Sequence, residues 1–218
     1  MSTAQGPGDP LTAPVAAPRV SNLNIANQLT ILRLLLVPVF AFLLLWDDGE
    51  STTWRIAAAV VFAIASWTDR IDGQLARSRG LITSFGKLAD PIADKALTGT
   101  AFIGLSILGE LPWWVTVVVV VRETFVTLLR FWVIRHGVIP ASRGGKLKTA
   151  LQSLAIGLYV LPLSGWLGTA RAIVMAAAVV VTVVTGVDYI ARALRLRQTS
   201  DRAAMKRARK AAREQGTA

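Results

Sequence analysis

The sequence contains no cysteine and a single histidine, His136. The first absence excludes disulfides and thiolate metal sites, and the second leaves no cluster for a zinc site. Charge is scarce as well. Only 17% of the 218 residues are charged, where a soluble domain normally carries about a quarter. What is there instead is apolar. Hydrophobic residues make up 53% of the chain, mean hydropathy is +0.52, and the apolar residues come in long runs. That pattern decides for a membrane protein over a soluble globule. The net charge of +11 raises nucleic acid as a partner. The basic residues, however, lie at the ends of apolar segments and in a C-terminal tail, which fits an anionic membrane leaflet better.

Residues 1–22 are rich in Pro, Ala, Gly and Thr, contain no apolar run and read as disordered. They lack the initial basic patch and apolar core of a signal peptide. Residues 23–195 read as one membrane domain and 196–218 as a basic cytoplasmic tail. Six segments fall near the roughly 20 residues needed to span a bilayer. They are about 28–46 (with Pro38 inside), 54–77, 86–109, 112–135, 147–165 and 170–192.

Loop charge orients them. The connection Asp47–Thr53 is acidic, Gly109–Leu111 carries only Glu110, and Ser164–Thr169 has no charge. The opposite connections carry Arg79 and Lys87, then Arg135, Arg143, Lys146 and Lys148. By the positive-inside rule these basic loops and both termini are cytoplasmic, with Arg55 and Arg171 the exceptions on the outer side. The predicted fold is therefore all-α, six transmembrane helices around a polar cavity open to the cytoplasm, in the cell membrane. Residues 192–213 hold nine Lys or Arg against one acid, Asp201. With no aromatic residue interleaved, this reads as a membrane-surface helix or a solvated tail, not a nucleic-acid tail.

The chemistry lies in TDRIDGQLARSRGLITSFGKLADPIADKAL. On a helix Asp69, Asp72, Gly73, Ala76 and Arg77 share one face, and so do Gly86, Asp90 and Asp94. Two adjoining helices thus each present two carboxylates to a common space. Facing carboxylates repel unless something positive sits between them, and hard divalent cations with oxygen ligands answer that need. Ionisable residues in so apolar a setting mark a functional site. The bland alternative, a solvated charged loop, leaves the helical phase of Asp, Gly and Ala unexplained.

The spacing D-x2-D-G-x2-A-R-x8-G-x3-D-x3-D resembles the signature of the CDP-alcohol phosphotransferases, with every fixed position present. The resemblance implies two divalent cations, Mg²⁺ or Mn²⁺, held by Asp69, Asp72 and Asp90 together with Asp94. It implies that Asp94 takes the proton from the attacking hydroxyl, and that the enzyme is a homodimer. CDP-lipid binding then falls to Asp69, Gly73, Ala76, Arg77 and Gly86. The small residues leave room for cytidine and ribose, or else serve close helix packing. Arg77 either binds a CDP phosphate or snorkels to the interface.

Within that family, three stretches are similar to the bacterial phosphatidylglycerophosphate synthases: NIANQLTILRLLLVPVF (Asn24–Phe40), LPWWVTVVVVVRETFVTLLR (Leu111–Arg130) and GKLKTALQ (Gly145–Gln152). This implies CDP-diacylglycerol and glycerol 3-phosphate as substrates. The acceptor phosphate needs a basic pocket, for which the candidates are Arg122, Arg130, Lys146, Lys148, Arg33 and Arg192. Lys146 and Lys148 equally suit ordinary positive-inside charge. Glu123, next to Arg122 in sequence, points about 100° away on an ideal helix and is an uncertain partner. Inositol 1-phosphate and phosphatidylglycerol are the alternative acceptors within the family. From another class, a divalent-cation transporter would use the four Asp residues as an ion path but leaves Gly73, Ala76 and Arg77 without a purpose.

Overall fold

A computed structural model describes residues 24–78, 83–133 and 143–215. The N-terminal segment 1–22 and the loop residues Arg79, Arg135 and His136 lie outside them. The described residues form six helices: α1 (Ile25–Leu45), α2 (Thr52–Ser78), α3 (Ser84–Ile107), α4 (Trp113–Val133), α5 (Arg143–Val160) and α6 (Trp166–Gln215). The Asn24 side chain caps α1 by accepting from the Asn27 backbone N–H, and Thr83 caps α3 by accepting from that of Gly86. A short turn, Trp46–Gly49, reverses the chain after α1 with Asp47, Asp48 and Gly49 all in left-handed conformation. A Cβ on Gly49 would sit 2.8 Å from Leu108 Cδ1, so the turn also packs closely on the end of α3.

The helices pack as a bundle whose centre is apolar along part of its length, with Phe40, Leu44, Phe62, Phe102, Leu105 and Ile156 buried together. Toward one end the buried residues are instead polar: Asn27, Thr30, Arg33, Lys148 and Gln152. The outside is the reverse. Val60, Ile64, Trp67 and Ile71 form an exposed stripe on α2, and Val117, Val121, Phe125 and Leu128 form another on α4. Leu35, Val39 and Phe42 on α1 and Val180, Val184 and Val187 on α6 repeat the pattern. Polar groups inside and helical apolar stripes outside suit a lipid surrounding, because contiguous apolar patches of this extent are rare on water-facing surfaces.

Two stretches among the described residues, Asn27–Gly49 and Trp166–Leu196, are long and apolar enough to cross a membrane. The expected six are thus matched by composition for two. The other helices carry charges within their length: Arg55, Asp69 and Arg70 on α2, Lys87, Asp90, Asp94 and Lys95 on α3, Arg122, Glu123 and Arg130 on α4, Arg143, Lys146 and Lys148 on α5.

Two helix ends differ most from the expected spans. The fifth helix ends at Val160 rather than about 165, because Leu161 precedes Pro162 and a residue before proline is turned away from the α region. The sixth does not stop at 192 but continues through the basic residues to Gln215, since nothing between them breaks a helix rich in Ala, Arg and Lys.

Opposite the polar end, Arg55 on α2 donates to Glu110 at 2.5 Å and to the Tyr159 and Val160 carbonyls that end α5. Arg171 on α6 donates to the other oxygen of Glu110 at 2.7 Å and stacks on the Tyr159 ring. The two basic residues that break the loop-charge rule therefore share one carboxylate.

Candidate active site

The polar face of α1 organises the carboxylate helices. Asn27 Nδ2 donates to Thr83 Oγ1 at 2.8 Å, fixing the residue that caps α3. One turn on, Thr30 Oγ1 donates to Asp90 Oδ1 at 2.6 Å. One further turn on, Arg33 Nη1 lies 2.6 Å from Asp69 Oδ1, the arginine fully buried and the aspartate 39% exposed. Three polar residues on one side of a single helix thus hold the start of α3 and the end of α2.

Gly86, Asp90 and Asp94 lie in register on α3, with Gly86 buried and both aspartates half-buried. A Cβ on Gly86 would lie 2.8 Å from Asn27 Oδ1, so this glycine lets α1 approach α3. Asp94 has Asp69, Lys95, Lys148 and Glu123 as its charged neighbours. Asp72, Gly73, Ala76 and Arg77 fall inside α2, but their side chains lie outside the described residues. Among the described residues no three metal-binding side chains converge. Asp69, Asp90 and Asp94 nonetheless carry the oxygen donors that hard cations take, and the charge of Asp69 acts on Asp94.

The candidate acceptor residues divide. Glu123 on α4 is a hub: Lys148 Nζ from α5 donates to its Oε1 at 2.7 Å, and Arg122 Nη1 reaches the same oxygen at 2.9 Å. Arg122 Nη2 also donates to Thr185 on α6 at 2.9 Å, and its stem packs on Gly186, where a Cβ would come within 3.1 Å. Arg122 and Glu123, neighbours in sequence, are therefore partners after all, because long side chains can bend across 100°. Two cations against one carboxylate leave a net positive charge beside Asp94. Lys146 is exposed, and Arg192 is half-exposed and paired to Asp188 one turn earlier at 2.9 Å. Arg33 is committed to Asp69. The Arg130 side chain lies outside the described residues.

Sequence reading assigned no role to Asn27 or Thr30 and left Glu123 uncertain. A signal was present for the first two. Asn27, Thr30 and Arg33 recur at three-residue steps through a helix whose other residues, Gln28 apart, are apolar, which places them on one side of it.

A model of one family, CDP-alcohol phosphatidyltransferase, matches residues 23–184. The chain belongs to the CDP-alcohol phosphatidyltransferase family. Among relatives of this phosphatidyltransferase, a protein of Mycobacterium tuberculosis described as a probable phosphatidylglycerophosphate synthase is 57% identical over 195 residues, covering 88% of this chain and 93% of the relative. A CDP-diacylglycerol–glycerol-3-phosphate 3-phosphatidyltransferase of Bacillus subtilis is 35% identical over 191 residues, covering 82% and 99%. Its counterpart of the same description in Escherichia coli is 32% identical over 177 residues, covering 78% and 94%. The matched span of the phosphatidyltransferase family holds every carboxylate of the signature and the α1 residues that contact Asp69 and Asp90.

Proposed function

We propose that this chain transfers the phosphatidyl group of CDP-diacylglycerol to a hydroxyl of sn-glycerol 3-phosphate, giving phosphatidylglycerophosphate and CMP. The observation that carries it is the joint hold of α1 on Asp69 and Asp90 in a chain of this family. The relatives' descriptions supply the acceptor.

Asp69, Asp72 and Asp90, with Asp94, would hold two divalent cations, Mg²⁺ or Mn²⁺. When bound, such ions supply positive charge to the oxygens of the phosphates being separated. The chain's own residues do the rest. Arg33 and Thr30 fix the Asp69 and Asp90 carboxylates, so that little reorganisation is needed during reaction. Family resemblance assigns Arg77 to the nucleotide phosphates and Gly73 and Ala76 to the space for cytidine. The acceptor oxygen bonds to the lipid-side phosphorus as the bond to the CMP oxygen breaks, and the acceptor proton passes to Asp94. Lys148 and Arg122 meet the acceptor phosphate with the charge that Glu123 leaves uncancelled.

The same reading places six helices across the cell membrane, with the carboxylates and both termini on the cytoplasmic side. The exposed apolar stripes on α2 and α4 support it, since these helices lack the composition for spanning but present lipid-compatible faces. The homodimer implied by family resemblance belongs to this reading too.

Purified protein given CDP-diacylglycerol and each of glycerol 3-phosphate, inositol 1-phosphate and phosphatidylglycerol should release CMP with the first. Release with inositol 1-phosphate alone would keep the family and overturn the acceptor. Divalent-cation uptake into vesicles without CMP release would favour a transporter.

A further inference from the structure

Between α3, α4 and α5 lies a cavity of about 90 Å³. Lys95, Gly99 and Phe102 line it from α3, Val119 and Glu123 from α4, and Gln152 from α5. Gln152 is the informative wall. It is 4% exposed, and its side-chain amide makes no hydrogen bond among the described residues. An amide offers two donors and two acceptor lone pairs, and buried polar groups are ordinarily paired because leaving them unpaired is costly. An amide left open toward a cavity is available to a polar group that enters it.

The cavity also adjoins the reaction centre. Lys95 follows Asp94 on α3, and the hydroxyl of Thr98, another lining residue, donates to the Asp94 carbonyl at 2.8 Å. Glu123 is the carboxylate that holds Lys148 and Arg122. The space is thus lined on one side by the residues one and four positions after the proposed base, and on the other by the carboxylate that holds the proposed phosphate-binding cations. In glycerol 3-phosphate the atoms between the attacking hydroxyl and the phosphate are a carbon chain and one secondary hydroxyl. Phe102 and Val119 suit the chain, and the Gln152 amide suits the hydroxyl.

We propose that this cavity receives the middle of the acceptor and that Gln152 binds its secondary hydroxyl, which makes Gln152 a specificity-determining residue. The inference rests on the reaction proposed above. It predicts discrimination by a group that takes no part in bond making, because the amide stays unpaired when the acceptor lacks that hydroxyl.

The test compares glycerol 3-phosphate with 3-hydroxypropyl phosphate, the same acceptor without its secondary hydroxyl, using the full-length protein and CDP-diacylglycerol. Unmodified protein should favour glycerol 3-phosphate by about tenfold in kcat/KM, the scale of one neutral hydrogen bond. Gln152→Leu should lose about that factor with glycerol 3-phosphate and cease to distinguish the two acceptors, with KM for CDP-diacylglycerol unchanged. Full discrimination retained in Gln152→Leu would overturn the inference. Gly99→Val provides a second route. A Cβ there meets nothing within 4 Å, so the added side chain begins in open space. It should raise KM for both acceptors and not for CDP-diacylglycerol; a rise for CDP-diacylglycerol alone would give the cavity to the lipid and overturn the inference. If the unmodified protein fails to use glycerol 3-phosphate at all, the proposed reaction falls. If it uses glycerol 3-phosphate but Gln152→Leu and Gly99→Val leave both acceptors unaffected, only the role of the cavity falls.

Discussion

Arg33 Nη1 lies 2.6 Å from Asp69 Oδ1, a fully buried guanidinium holding a carboxylate of the signature motif. A cation without an anion would be costly in this interior, and the pairing gives it one. On the proposed reading, that pairing puts Arg33 on the nucleotide side of the site rather than on the acceptor side. Arg33→Ala should raise the apparent constants for divalent metal and CDP-diacylglycerol by about tenfold to a hundredfold, the scale of a charge-assisted contact. KM for glycerol 3-phosphate should change little. Steady-state kinetics with each substrate varied in turn checks this, and an effect on glycerol 3-phosphate alone would return Arg33 to the acceptor pocket.

Asp94→Asn should keep binding CDP-diacylglycerol and metal while losing about 10²- to 10⁴-fold in turnover, the usual contribution of a general base. Asp94 is last on the α3 face and has Asp69, Lys148 and Glu123 among its charged neighbours, which suits the proposed role of proton acceptor. Near-normal turnover at saturating metal would remove it from that role.

Gly86→Ala tests what the glycine is for. Its new Cβ would lie 2.8 Å from Asn27 Oδ1 and 3.3 Å from Thr83 Oγ1, so α1 and α3 must separate or Asn27 must turn away. Overpacking of this kind costs about 1–3 kcal/mol. Thermal unfolding in detergent should show a lower Tm together with weaker CDP-diacylglycerol binding, because α1 also carries Thr30 and Arg33. Weaker binding at unchanged Tm would mean that Gly86 serves only to leave room for the nucleotide.

At the opposite end, Glu110 links stability to pH. Burial pushes its carboxyl up, but the hydrogen bond and charge of Arg55, joined by Arg171, outweigh burial and hold it below its ordinary value of 4.5. A carboxylate lowered in the folded state contributes stability that is present above the unfolded value and is lost as pH falls through the folded one. Tm should therefore drop as pH is taken below about 4.5. Glu110→Gln should lower Tm at neutral pH and flatten that part of the dependence. An unchanged pH profile in Glu110→Gln would show that other carboxylates carry it.

Helix positions were legible in the sequence because each apolar run is bounded by residues with a local physical effect. Asn24 and Thr83 cap the helices they precede, and Gly109 and Gly165 adopt the positive φ of the turns that separate α3 from α4 and α5 from α6. The end of α5 was misjudged where hydrophobicity ran on past Pro162. The motif's phase on α2 and α3 was legible for the same local reason. Pairings between distant residues were not. Thr30 with Asp90, Arg55 with Glu110 and Arg171 with Glu110 are separated by 60, 55 and 61 residues, and periodicity along one helix does not reveal which face of another it meets. Glu123 was obscured for a different reason, because an ideal helix sets it about 100° from Arg122 and says nothing of how far long side chains reach.

The signature carboxylates are proposed to form a divalent-cation site for phosphatidyl transfer. This is tested most directly by following CMP release from CDP-diacylglycerol and glycerol 3-phosphate while Mg²⁺ or Mn²⁺ is titrated into chelator-treated protein. Turnover should be absent without the cation, rise to saturation with it, and fail to recover in Asp69→Asn and Asp90→Asn even at high metal. Undiminished CMP release in excess chelator, or equal metal dependence in those two variants, would contradict it.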